Sequence, residues 1–374
     1  MSARAFKGRL RALGFIDRYV LRLFASSYLA AFFLVVGLFL IIDMALNLDG
    51  ILAADESGNQ PALGIVLQFY ALKVPFLYLE MSPYVTLVAG MFTASKMTRF
   101  NEVVAALNAG VSMRRLFAPV LLAAGALALG MFGLREWATQ DLGLRLVRLQ
   151  DFLEERRPTP IFEDVRVFDR DGRAITLDRF YPAGAEGQPA RFEGLGCRHR
   201  DGEESVVLSA QAGHYLGAGR WELVGGLRQA VGSEKSRHEP LQRLDGNHFT
   251  PEDVMTAWKG AENPMALSFS ESNRLLARDP SNAQFRTLFH YHVTFPLAGL
   301  VLLCIGLPFV LAQDRGKGAE RVSMGFFLCV LFFGLEFISR TLGLQGQLSP
   351  LFAAWLPILG FGALGSVLFG SMRS

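Results

Sequence analysis

Cysteine is scarce in this chain of 374 residues, which has three, and charged residues make up only 19% of it. Hydrophobic residues account for 51%. So little charge with so much apolar content is unusual for a globular chain in water and favours a membrane protein. Cys197 is the one cysteine of the polar middle segment. That segment therefore has no internal disulfide and must fold around its own apolar core.

Six apolar stretches are long enough to cross a bilayer, since about 20 apolar residues span roughly 30 Å of hydrocarbon. We name them spans one to six: Tyr19–Leu48, Leu63–Thr93, Leu116–Trp137, Phe285–Leu311, Val322–Leu342 and Leu351–Phe369. They form two blocks of three, residues 19–137 and 285–371, on either side of a polar insert, residues 138–284. The sequence therefore predicts an α-helical polytopic membrane protein with one large domain outside the bilayer.

Lysine and arginine are missing from two short loops, residues 49–62 and 343–350. They are frequent in the N-terminal tail, residues 1–18, and in the loops between spans two and three and between spans four and five. By the positive-inside rule, both tails, including residues 372–374, are cytoplasmic, and the insert lies on the other side. The net charge of +3 is then a topology signal and does not point to nucleic-acid binding.

The insert contains short alternating segments separated by glycine-containing turns, a pattern that predicts an all-β sandwich or jelly roll. The predicted strands are a hairpin around residues 169–172, followed by Ala190–His199, Ser205–Ala210, Gly213–Leu216, Arg220–Val224 and Leu227–Val231. The end of the insert becomes helical. Ser268 and Glu271 form a predicted capping box for a helix to about Arg278, and Ser281 with Gln284 forms a second one that opens span four.

Motifs for catalysis and metal binding are also missing. The insert has four histidines, His199, His214, His238 and His248, and their spacing is not that of metal ligands. No GxSxG or SxxK pattern occurs either. The alternative is an intramembrane metal enzyme with His290, His292 and Glu336 as ligands. The absence of an HExxH motif and of a third ligand at helical spacing argues against it. Residues 315–318 lack the spacing of a Walker A motif, so this chain cannot hydrolyse ATP alone. We predict no catalytic residue, no metal and no cofactor bound by the chain.

The loop between spans two and three, residues 99–113, has the pattern of a short helix on the cytoplasmic membrane surface. In this loop helix, Asn101 is placed to form the N-terminal cap, and the negative charge of Glu102 complements the positive end of the helix dipole. Gly110 is placed to end the helix in a left-handed conformation. Ser112 can then cap span three. Many ABC permeases contact their ATPase through such a helix, and the alternative is an ordinary connector.

Ionisable side chains inside the spans are expensive in a bilayer and are therefore candidates for function. Six such residues are predicted to line a substrate cavity and lateral gate: Asp43, Lys73, Glu80, Arg135, Glu336 and Arg340. In this hypothesis the cations meet lipid phosphates and the carboxylates hold the cations in place. The alternative is snorkelling at the interface together with structural ion pairs.

The sequence resembles the LptF/LptG (YjgP/YjgQ) family, the permease subunits of the lipopolysaccharide exporter, over nearly its whole length. The resemblance rests on the arrangement of three plus three spans around a β-jelly-roll insert and on four segments: IDRYVLRLF, VPFLYLEMSPYVTLVAGMF, NEVVAALNAGVSMRRL and LSPLFAAWLP. The acidic residue in span five and the closing segment are somewhat more LptG-like.

The resemblance implies that the loop helix docks into a groove of a cytoplasmic ATPase. The residues it implies at that contact are Glu102, Val103, Leu107, Gly110, Ser112 and Arg114. It also implies a second LptF/LptG-type permease, an ABC ATPase dimer that binds ATP and Mg, and periplasmic jelly-roll bridge proteins as partners.

The function implied is extraction of lipopolysaccharide from the outer leaflet of the bacterial inner membrane, through a lateral gate between spans one and five. In some relatives, positive residues on span one contact the phosphates of lipid A. The apolar part of span one in this chain has no such residue, since Arg22 lies at its inner edge and Asp43 is acidic. The alternative is a permease-like subunit of another envelope lipid or lipoprotein ABC system. Those subunits usually have four spans, with the outer domain after the first.

Overall fold

Six helices in the described part of the chain are long and apolar enough to cross a membrane. The computed structural model describes residues 14–52, 61–154, 161–169, 173–183, 188–201, 204–231, 236–244, 249–262, 264–311 and 318–372. Spans one to six are the helices Phe15–Leu52, Leu63–Arg99, Met113–Trp137, Ala283–Leu311, Gly318–Leu344 and Pro350–Gly370. The loop helix is Glu102–Asn108. These helices confirm the predicted three-plus-three membrane architecture.

The chain divides into two compact units. The membrane unit comprises Met1–Asp49, Tyr70–Ala138 and Phe289–Ser374, and the insert unit comprises Gly50–Phe69 and Thr139–Leu288. Within the membrane unit, spans two and four lie close together where small residues replace bulky ones. A Cβ at Gly90 would collide with the side chain of Leu303, and one at Gly306 would lie 2.6 Å from Leu87. Glycine at these positions lets two membrane helices approach closely.

An antiparallel sheet of eight strands forms the body of the insert unit. Its strands are β1 Phe162–Phe168, β2 Ala174–Tyr181, β3 Arg191–Asp201, β4 Glu204–Gly217, β5 Arg220–Val224, β6 Leu227–Val231, β7 Ser236–Pro240 and β8 Arg243–Leu244. Strands β1 to β4 pair in sequence order. On its other edge, β4 pairs with β6 through residues 205–209 and with β5 through residues 212–217. The predicted inserted all-β domain of jelly-roll type is confirmed.

Strand β4 corrects one sequence-based expectation, because it is a single strand where two were predicted. Gly213 suggested a break, but it lies within β4, directly opposite Phe192 on β3. A Cβ at Gly213 would overlap the Phe192 ring. The glycine therefore serves close packing of an aromatic side chain and does not form a turn. The β1–β2 hairpin was correctly predicted, although its turn residues 170–172 lie outside the described residues.

Trp221 on β5 is at the centre of the insert core and is fully buried. Its ring contacts four aromatic side chains, those of Phe180, Phe192, Tyr215 and Phe249. Its indole Nε1 donates a hydrogen bond to the Phe249 carbonyl oxygen at 2.8 Å. A buried indole N–H usually needs such an acceptor. This core takes the place of the disulfides that the insert lacks.

Three helices accompany the sheet: α1 Gly143–Glu154, α2 Pro251–Glu262 and α3 Phe269–Arg278. The capping box predicted for α3 is present, since Ser268 Oγ accepts from the Glu271 N–H and Glu271 Oε2 accepts from the Ser268 N–H. The same carboxylate accepts from Lys259 Nζ of α2 at 3.2 Å. Glu271 therefore joins two helices as well as capping one.

The second predicted capping box is wrong. Span four begins at Ala283, and the Asn282 side chain accepts from the Gln284 N–H at 2.9 Å. The Ser281 hydroxyl donates to Asp279 instead. Asparagine caps helices as well as serine does, so the neighbouring residue fulfils the role assigned to Ser281.

Replacing Lys259 with methionine is expected to destabilise the insert unit by about 3–5 kcal/mol, because it leaves the buried Glu271 carboxylate without its cation. The side chains of Lys259 and Glu271 are only 13% and 6% exposed. Thermal unfolding of the purified chain in detergent, followed by tryptophan fluorescence, measures the loss. The matched control is Arg274→Ala. It breaks the exposed pair with Glu252 and should change stability by no more than about 1 kcal/mol. Equal effects of the two substitutions would contradict the assignment.

Candidate functional site

The loop helix starts in a way that differs from the sequence-based prediction. Asn101 precedes it with a left-handed backbone (φ 58°), and its side chain makes no capping hydrogen bond. Side-chain capping requires an extended backbone at that position, which Asn101 does not adopt. The predicted Asn101 cap is therefore wrong, although asparagine is one of the few residues that tolerate this conformation.

The end of the loop helix is as predicted. Gly110 is left-handed (φ 82°), and its N–H donates to the Leu107 carbonyl while the Val111 N–H donates to the Ala106 carbonyl. These two bonds form a Schellman motif. Ser112 then caps span three by accepting from the Arg115 N–H. The motif reverses the chain within a few residues and fixes the loop helix against the start of span three.

The two faces of the loop helix differ in exposure. Val103 is 1% exposed and belongs to the core of the membrane unit, and Leu107 packs against that core. The exposed face consists of Val104, Ala105 and Asn108. Val103 therefore anchors the helix to its own chain. The surface available to another protein includes Val104 and Asn108, which the sequence pattern did not single out.

Glu102 opens the loop helix and contacts span one. Its Oε1 accepts a hydrogen bond from the Tyr19 hydroxyl at 2.7 Å. Its Oε2 is buried and has no hydrogen-bond partner among the described residues. A buried carboxylate oxygen without a donor is costly. Of the two oxygens, Oε1, in its exposed hydrogen bond with Tyr19, is the one within reach of another protein.

A second contact joins span one to span three. The guanidinium of Arg115 donates to both carboxylate oxygens of Asp17, at 2.8 and 2.9 Å. The Asp17 side chain is only 7% exposed. Neither residue was among the candidates from sequence, because their partnership spans 98 positions. Arg114, the neighbouring residue, is exposed.

Two of the intramembrane candidates pair with each other. Lys73 of span two donates to Asp43 of span one at 2.7 Å, and the two side chains are 26% and 20% exposed. Glu80 lies two turns beyond Lys73 on span two and is exposed in the isolated chain. Three cations, Arg135, Arg340 and Lys73, lie near enough to attract its carboxylate electrostatically.

The remaining candidates, Arg135, Glu336 and Arg340, lie close to Tyr291 and His292 of span four. Arg340 donates to the Tyr291 hydroxyl at 2.9 Å and lies 3.7 Å from Glu336, four residues earlier on the same helix. Arg135 Nη1 lies 3.1 Å from Nδ1 of His292. A cation so close to this imidazole opposes metal binding there, which argues against the metal alternative. The sequence pattern missed Tyr291 and His292 as partners.

The polar groups of the membrane unit thus form two sets. One set holds the loop helix to span one, and the other consists of cations and carboxylates on spans one, two, three and five, with Tyr291 and His292 of span four beside them. A family model described as "Lipopolysaccharide export system permease LptF/LptG" matches residues 18–371, nearly the whole chain.

The chain belongs to the LptF/LptG permease family. It is accordingly a multi-pass inner-membrane protein of lipopolysaccharide export. A comparison with curated proteins finds no match. Membership of the LptF/LptG family makes the protein a permease subunit, a transport protein.

Proposed function

We propose that this LptF/LptG chain extracts lipopolysaccharide from the outer leaflet of the inner membrane, driven by a separate cytoplasmic ATPase dimer. The observation that carries the proposal is the exposed face of the loop helix. Its buried face, with Val103, is packed into the chain's own core, and its other face carries Val104 and Asn108, with Glu102 at the start of the helix. A rigidly held helix with an open face is suited to receive force from a partner.

The ATPase contact is proposed to involve Glu102, Gly110, Ser112 and Arg114, with Leu107 and Val103 holding the helix from behind. ATP and Mg bind to the partner, not to this chain. The positive-inside pattern supports cytoplasmic termini and an insert on the periplasmic side. Under this orientation the loop helix faces the cytoplasm, where ATP is available.

A second LptF/LptG-type permease is proposed to complete the substrate cavity. Glu80 lies in the middle of a membrane span and is exposed, which is tolerated only beside water, a protein partner or a charged ligand. Asp43, Lys73, Arg135, Glu336 and Arg340 accompany it on neighbouring spans. The closing segment and Glu336 favour the LptG-type partner of such a pair.

Energy input is needed because each acyl methylene moved from the bilayer to water costs about 0.8 kcal/mol. A lipid with several acyl chains therefore does not leave the membrane unaided. Closure of the ATPase dimer is proposed to push the loop helix, narrow the cavity and drive the lipid onto the insert. Periplasmic jelly-roll bridge proteins then receive it and shield its chains.

Purification of the tagged chain from its native membranes in mild detergent tests this proposal. Mass spectrometry of the co-purifying proteins should find a P-loop ATPase and a second six-span permease. Recovery of the chain alone, in a preparation that keeps another ABC complex intact, would reduce the loop helix to a connector. Recovery of a lipoprotein-releasing system would support the other envelope ABC system instead.

A further inference from the structure

The N-terminal end of span one is held by contacts that the proposed ATPase contact and the cavity do not require. Asp17 pairs with Arg115 at the start of span three, and Tyr19 donates to Glu102 at the start of the loop helix. We name these four residues the span-one clamp. The clamp joins span one directly to the loop helix and to span three, which the chain connects to span one only through span two.

The Asp17–Arg115 pair is built for fixed geometry. Both carboxylate oxygens of Asp17 are engaged, and Oδ2 also accepts from the Gly14 N–H at 3.2 Å. The two parallel bonds of a guanidinium on a carboxylate restrict orientation as well as distance. The Asp17 side chain is only 7% exposed, so water reaches this pair mainly from the side of Arg115, which is 60% exposed.

An apolar cluster lies behind the polar contacts. Val20 and Phe24 of span one, Val103 of the loop helix and Phe117 of span three are buried in the same core. Apolar packing alone is non-directional and allows helices to slide past one another. The clamp adds directional bonds from span one to the loop helix and to span three, so we expect the three elements to move together at this end.

We propose that Asp17, Tyr19 and Arg115 are positioning residues that transmit displacement of the loop helix directly to span one. The inference rests on the proposed function, since it takes the ATPase as the source of that displacement. Span one contributes Asp43 to the proposed cavity and lateral gate. Without the clamp, ATP hydrolysis continues but moves span one less, so less lipid is exported for each ATP.

The test measures ATP hydrolysis and lipopolysaccharide transfer in the same proteoliposomes, which contain the complete complex. Asp17→Asn and Arg115→Gln are each expected to retain most hydrolysis and to lower the lipid transferred per ATP roughly three- to ten-fold. The exchanged pair, Asp17→Arg with Arg115→Asp, should restore most of that ratio. Arg22→Gln, an exposed cation of the same helix, is the matched control and should leave the ratio unchanged.

A wild-type ratio in both single variants would overturn the proposal, as would an exchanged pair that recovers assembly but not the ratio. If the charge variants do not assemble, Tyr19→Phe decides, because it removes only the hydroxyl that donates to Glu102. We expect it to lower the ratio about two-fold, and an unchanged ratio would overturn the clamp. Failure of the proposed function is distinct, since the wild-type complex would then show no ATP-dependent transfer.

Discussion

Replacing Glu102 with arginine is expected to reduce recovery of the ATPase with this permease by roughly thirty-fold or more. Reversing the charge of one partner in a close interfacial charge pair costs about 2–5 kcal/mol or more, and about 1.4 kcal/mol corresponds to ten-fold in affinity. The expected loss follows if a cationic side chain of the ATPase donates to Oε1 of Glu102, the oxygen in the exposed hydrogen bond with Tyr19. Pull-down from detergent extracts with a tagged ATPase measures it.

The control must separate loss of the ATPase from loss of the Tyr19 bond, because Glu102 takes part in both. Tyr19→Phe removes only the intramolecular hydrogen bond and should leave recovery of the ATPase near that of the wild type. Membrane insertion of the Glu102→Arg chain should also be unchanged. Normal export by this variant would remove Glu102 from the interface.

The second large effect is expected at Lys73. Lys73→Gln should abolish most of the stimulation of ATPase activity by lipopolysaccharide, because it removes the cation proposed to meet a lipid phosphate. It also leaves Asp43 without the partner that lies 2.7 Å away. For a pair this far from full burial, we expect a destabilisation of about 1–3 kcal/mol.

A double variant separates the two roles of Lys73. Lys73→Gln with Asp43→Asn removes both charges of the pair, so thermal stability should return towards the wild-type value. Stimulation by lipopolysaccharide should stay low, since no cation remains at this position. If the double variant recovers full stimulation, Lys73 only balances Asp43, and the alternative of a structural ion pair is correct.

Hydropathy and turn patterns predicted the elements whose signals are local. The apolar runs gave all six spans, and strands β5 and β6 have the predicted bounds because glycines flank each of them in the sequence. The Ser268–Glu271 capping box also depends on residues three apart. Gly213 misled the prediction, because its role depends on Phe192, which lies across the sheet and far away in sequence.

Long-range pairings were beyond the sequence for the same physical reason. Tyr19 and Glu102 are 83 positions apart, and no periodicity in either segment indicates that their side chains meet. The ionisable residues in the spans stand out by their type alone, but the sequence does not show which of them meet across helices. Lys73 lies two turns from Glu80 on the same helix, but the carboxylate at hydrogen-bond distance from it is that of Asp43 on another helix.

ATP-dependent transfer of lipopolysaccharide tests the central claim most directly. Proteoliposomes holding this chain, its co-purified permease and the ATPase are mixed with a soluble periplasmic jelly-roll acceptor that carries a photocrosslinking residue. The account predicts that lipopolysaccharide is crosslinked to the acceptor only when ATP is present. It predicts no crosslinked product when a lipoprotein or a phospholipid is supplied in place of lipopolysaccharide. Crosslinking that is independent of ATP, or ATP-driven release of lipoprotein alone, would contradict the account.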